Sequence, residues 1–81
     1  MRHATAETLK ILKPLLKEIR SVPGLVEKKP GIFYRRSRAF LHFHEDPSGL
    51  HADVRFEEDF ERVRAETKVE RKALLARIRA L

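Results

Sequence analysis

Residues Ala39 to Phe56 read AFLHFHEDPSGLHADVRF, and the parity of this stretch decides the fold. Apolar and polar residues alternate on both sides of Asp46-Pro47-Ser48-Gly49, the pattern of two half-buried antiparallel strands joined by a turn. Setting Glu45 opposite Leu50 places Leu41 against Val54, Phe43 against Ala52 and Ala39 against Phe56 on one apolar face. The opposite face then pairs His44 with His51, His42 with Asp53 and Phe40 with Arg55. A one-residue slip would scatter both sets over two faces, so only this register keeps a core.

Working outward, Ile32 to Arg35 reads as a short strand joined through Arg36-Ser37 to a strand from Arg38 to Glu45. With Ile32 opposite Leu41, Ile32 and Tyr34 join the apolar side, and Phe33 and Phe40 face outward. Upstream, Glu27-Lys28-Lys29-Pro30-Gly31 carries turn residues without periodicity and is expected as a surface loop. Before it, Leu9, Ile11, Leu12, Leu15, Leu16 and Ile19 recur at spacings of three and four behind the N-cap candidate Thr5, predicting an amphipathic helix over 6–20. Pro14 should kink that helix or restart it, at a cost of about 3 kcal/mol if the chain stays straight. Ser21-Val22-Pro23-Gly24 ends it.

Downstream, Glu57, Glu58 and Asp59 suit the first turn of a helix, whose positive end favours acidic residues, and Phe60 and Val63 extend the apolar stripe. Thr67 and Glu70 fit a capping box that opens a last helix carrying Leu74, Leu75, Ile78 and Leu81. Residues 57–66 and 68–81 therefore form two helices or one bent helix. The predicted architecture is a single α+β domain over 1–81, in two layers. It has an N-terminal helix, a three-stranded antiparallel meander and one or two C-terminal helices.

A chain of 81 residues buries roughly 60% of its unfolded surface, which leaves little volume for an enclosed ligand cavity beside the core. A hydrophobic content of 42% excludes a disordered chain. No apolar run is long enough to span a bilayer, and Lys and Glu interrupt Met1 to Arg20, so a soluble, cytoplasmic protein without membrane association is expected. The absence of cysteine excludes disulfides, thiolate nucleophiles and cysteine zinc sites. No cofactor signature occurs and none is expected to bind. The net charge of +6 comes from the first half of the chain, where Arg2 to Arg38 holds ten basic and three acidic residues. Such a field favours encounters with nucleic acid or acidic surfaces without conferring specificity.

Two surfaces can carry function. On the polar face of the hairpin, His42, His44, His51 and Asp53 stand together with Arg55 beside them, cross-strand neighbours being about 5 Å apart at Cβ. Imidazoles and a carboxylate suit zinc, nickel or iron(II); the plainer alternative is a solvated sheet face with His42 and Asp53 as an ordinary cross-strand pair. The second surface joins outward Phe33 and Phe40 to a rim of Lys28, Lys29, Arg35, Arg36 and Arg38, in the manner of sheets that stack single-stranded bases. It lacks a ribonucleoprotein-type aromatic motif. Outward phenylalanines on a thin domain also favour self-association, and a homodimer is expected. Asp53 beside His42 is the kind of pair acid–base chemistry uses, yet no Ser or Thr stands as a nucleophile, so an enzyme is neither required nor excluded. The expected role is a binding or interaction module using the exposed sheet face. Nucleic-acid binding and metal-dependent catalysis are the alternatives.

The residues HFHEDPSGLHADVRF are similar to a motif in small uncharacterised bacterial proteins, including those labelled luciferase-like domains of unknown function. In these a histidine-bearing strand is followed by Gly, Leu, Ala and Asp. The resemblance covers about Phe33 to Phe56 and implies a small bacterial α+β domain without established activity. It implies no light-producing chemistry and carries over no functional residue.

Overall fold

A computed structural model describes residues 2–81, with Arg2 and His3 described by their backbone alone. The architecture is α+β, in the order β1 (Arg2–His3), α1 (Ala6–Arg20), β2 (Leu25–Lys29), β3 (Ile32–Arg35), β4 (Arg38–Asp46), β5 (Gly49–Val54), β6 (Glu61–Arg64) and α2 (Lys68–Arg79). Strands β2 to β6 form an antiparallel meander in sequence order, and β1 pairs with the far end of β4 beyond the reach of β3. The central register is as expected, with Leu41 opposite Val54, His42 opposite Asp53, Phe43 opposite Ala52, His44 opposite His51 and Glu45 opposite Leu50. Both helices cover the apolar face. Leu12, Leu16 and Ile19 of α1 and Leu74 and Ile78 of α2 pack with Leu41, Phe43, Ala52 and Val54 into one buried cluster. Among the described residues no helix is long and apolar enough to cross a membrane.

Helix α1 starts at the Thr5 cap, whose hydroxyl accepts from the Thr8 amide, and runs unbroken through Pro14. Pro14 lies on the exposed side, where a carbonyl deprived of its partner can turn to water. Ile11, assigned to the apolar stripe from its spacing, is 59% exposed. The stripe that reaches the core is narrower.

Three expectations need correction. Glu27 to Lys29 is not loop but part of β2, an edge strand paired to β3 with a register irregularity between Glu27 and Lys29. One exposed edge of a sheet carries no strong alternation, and lysines there guard against unwanted pairing. With β2 and also β6, the meander has five strands, not three. Residues 57–66 are not helical either: an irregular loop leads into β6, where Val63 faces Ala52 and Arg62 faces Asp53. Pairing with β5 outweighs the helix-start signal of the acidic run. A single C-terminal helix remains, α2.

The third correction concerns the phenylalanines. Phe33 and Phe40, expected outward, are 0% and 2% exposed. Strand β3 sits one residue away from the expected register, with Phe33 rather than Ile32 opposite Leu41, and such a slip exchanges the two faces. Between Phe33–Leu41 and Tyr34–Ala39 the pairing skips Phe40. This bulge turns Phe40 inward, against the edge of Phe56 with ring centroids 5.8 Å apart.

Helix α2 opens with the expected capping box, Thr67 and Glu70 each accepting a backbone amide from the other's position. The hydrogen bonds from Thr67, outweighing partial desolvation and helped by Arg64, hold the Glu70 carboxyl below its usual range. A depressed folded-state value means that the cap's contribution is present above the unfolded carboxyl range near pH 4.3 and is lost as pH falls through the lower folded value. The Glu70 side chain should accordingly titrate below about pH 4.3 when followed by carboxyl NMR. A midpoint at or above that value would show that the box is not formed in solution.

Candidate functional site

Strict alternation along β4 and β5 sends His42, His44, His51 and Asp53 to the side of the sheet away from the helices. Asp53 is the hub. Its Oδ2 lies 3.3 Å from Nε2 of His42 and 3.1 Å from Nε2 of His44, while Oδ1 accepts from Nε of Arg62 at 3.1 Å. Burial pushes the Asp53 carboxyl up, but the Arg62 hydrogen bonds and then the nearby His44 imidazole outweigh it and hold the group below its ordinary value. One donor atom from each of His42, His44 and Asp53 falls within 4.8 Å of the others.

This face is less open than the sequence suggests. His44 is 3% and His51 7% exposed, because β1 flanks His44 on one side, β6 flanks His51 on the other, and the two imidazoles stack at 5.8 Å. Phe60, from the loop before β6, lies 5.7 Å from the His42 ring. The proximity of His44 to Asp53 is not a well-aligned hydrogen bond: neither His44 ring nitrogen has a hydrogen-bond partner among the described residues. Such a buried imidazole is costly unless something else engages it.

His51, expected in the same ligand set, is turned to a different group. Its Nε2 is 2.8 Å from Ser48 Oγ and 3.3 Å from Asp46 Oδ1. Ser48 donates its hydroxyl and its amide to Asp46 Oδ1, and these bonds, then His51, bring the Asp46 carboxyl down to about 2. The trio is not a nucleophilic triad. Asp46 and Ser48 meet the same imidazole nitrogen, whereas a triad puts the carboxylate on the other nitrogen, and the His51 Nδ1 is buried without a partner.

The basic candidates fall into two groups. Lys28, whose ammonium stands 5.0 Å from the Tyr34 ring centre, and Lys29 lie towards the β2–β3 turn, Lys29 being paired with Ile32. Arg35 and Arg38 face each other at the opposite end of β3, flanking Arg36-Ser37. Arg55, placed beside the histidines from the sequence, donates to the Ala39 carbonyl and stacks at 4.6 Å over Phe60, the ring that lies against His42. It lines a cleft with Arg35, Arg36 and Arg38. With Phe33 and Phe40 in the core, the base-stacking platform and the aromatic dimer contact expected from them are not present on this surface.

Sequence reading missed Arg62, Arg64 and Phe60, all of which border the histidine face. The period-2 alternation of Glu61-Arg62-Val63-Arg64 was the available signal, masked by the acidic run before it. Comparison with known proteins finds no matching family model, curated protein or solved structure.

Proposed function

We propose that the protein is a small binding module that holds a divalent transition-metal ion between His42, His44 and Asp53. The observation that carries this reading is the convergence on Asp53 Oδ2 of two imidazole nitrogens at 3.3 and 3.1 Å. Ligand atoms about 2.0–2.2 Å from a common ion stand about 2.8–3.6 Å from one another in tetrahedral or octahedral geometry. The donor set of two imidazoles and one carboxylate suits zinc or iron(II) and leaves further positions for water or a ligand. The ring nitrogens of His44, buried without hydrogen bonds, also fit: an ion would engage one of them. Arg62 orients the carboxylate, donating from Nε to Oδ1 at 3.1 Å and from Nη2 to Oδ2 at 3.4 Å, so that Oδ2 faces the histidines. His42, with 30% of its side chain exposed, gives access from solvent. A bound ion would supply Lewis acidity and a water of lowered pKa at this face.

Titration of the metal-free protein with cobalt(II), followed by visible absorption, and with zinc by calorimetry tests the reading. Stoichiometric binding is expected, weakened about 100-fold or more by Asp53→Asn, which removes the anionic ligand at nearly constant shape. His51→Gln should change affinity by no more than a few fold, since His51 is engaged by Ser48 and Asp46. Metal binding indifferent to Asp53→Asn would place the ion elsewhere and end the proposal.

A further inference from the structure

The β3–β4 hairpin combines features that are unfavourable for folding. Its two-residue loop is Arg36-Ser37, and both residues lie at positive φ, 53° and 66°. Hairpins of this kind favour Asn-Gly because residues with larger side chains are strained there. Flanking the loop, Arg35 and Arg38 stand directly opposite each other, and like charges so placed repel. Among the described residues, none of Arg35, Arg36, Arg38 and Arg55 forms an ion pair with a carboxylate. All four line one open cleft of about 250 Å³, with Phe40 and Phe56 in its wall and Glu57 as the single acidic residue. Strain and repulsion concentrated at one place point to a bound group that relieves them.

We infer that this cleft binds the phosphate dianion of a small phosphorylated organic molecule. Guanidinium groups are planar, permanently charged donors that match phosphate oxygens in pairs. A dianion set among them offsets the repulsion between Arg35 and Arg38. The volume suits a compact ligand, and the partly buried Phe56 ring in the wall offers apolar contact to its organic part. A nucleic-acid strand would need a track of cations. Here Lys29 pairs with Ile32 at the other end of β3 and neither Lys28 nor Lys29 lines the cleft, so the arginines form a focus rather than a track. This inference is independent of the metal reading, with which it shares no residue.

Phenyl phosphate is the probe, titrated into the full chain at about 150 mM salt, where weak exposed attractions are screened, and followed by NMR of amides and arginine Nε groups. Saturable one-to-one shifts confined to Arg35, Arg36, Ser37, Arg38, Ala39 and Arg55 are expected. Arg36→Gly should weaken binding about tenfold while raising Tm, because glycine accepts positive φ without strain. Ser37→Gly should raise Tm and leave affinity within about twofold, and Arg38→Gln should weaken binding as Arg36→Gly does. A structural role for these arginines cannot produce the opposed changes of Arg36→Gly. The inference is overturned by an absence of saturation, by shifts spread over all basic residues, by unchanged affinity in Arg36→Gly, or by tight binding of oligothymidylate in the cleft while phenyl phosphate fails to bind.

Discussion

Phe33→Ala destabilises the protein by about 3–5 kcal/mol, the range for emptying a buried aromatic site. For a chain of 81 residues, whose total stability is on the order of 4–12 kcal/mol, that is a large share, and Tm falls by more than about 10 °C. The cause is the β3 register. Opposite Leu41, the Phe33 ring is fully buried in the core; opposite Phe40 or His42 it would point into solvent. Guanidinium unfolding followed by circular dichroism measures the effect, with Val69→Ala as a control at a position 76% exposed, where a change within about 0.5 kcal/mol is expected. A Phe33→Ala effect as small as the control's would restore the register with Ile32 facing Leu41 and return both phenylalanines to the surface.

His44→Leu stabilises the metal-free protein by about 1 kcal/mol and abolishes its stabilisation by zinc. Two buried ring nitrogens lack hydrogen-bond partners among the described residues, and a buried unsatisfied polar group costs about 1–3 kcal/mol. Leucine removes both at similar volume. It also removes the 3.1 Å approach to Asp53, whose remaining partners include Arg62. In the wild type, zinc at about 100 times its Kd adds about 2.7 kcal/mol, so thermal unfolding with and without zinc separates the variants. Were His44→Leu less stable than the wild type without metal, the His44–Asp53 pair would be a clamp between β4 and β5, and the argument from an unpartnered histidine would fail.

These two variants bear on opposite faces of one sheet, and the faces were not equally legible. The β4–β5 hairpin could be read to the residue, because Asp46-Pro47-Ser48-Gly49 pins the turn and a slip would turn the histidines towards the helices and Phe43 away from them. The caps at Thr5 and Thr67 were legible for a similar reason: each is a local bond between a side chain and an amide a few residues away. The three members of the proposed metal site share the parity of that hairpin, so their grouping was visible before any fold was known.

The register of β3, by contrast, depends on a bulge at Phe40. A period-2 pattern cannot reveal one extra residue when apolar side chains occur at both parities, as in Ile32-Phe33-Tyr34. Strand β6 was hidden because Glu57-Glu58-Asp59 resembles a helix start, and its pairing energy comes from β5, distant in sequence. Without β6 there was no Arg62 to orient Asp53, and without β1 and β6 the burial of His44 and His51 could not be foreseen. The sequence by itself determined what depends on neighbouring residues: the caps, the turns and the alternation of the central hairpin. Only the tertiary structure decided which aromatics enter the core and how far each histidine is removed from water, because both depend on contacts between strands that the chain brings together from a distance.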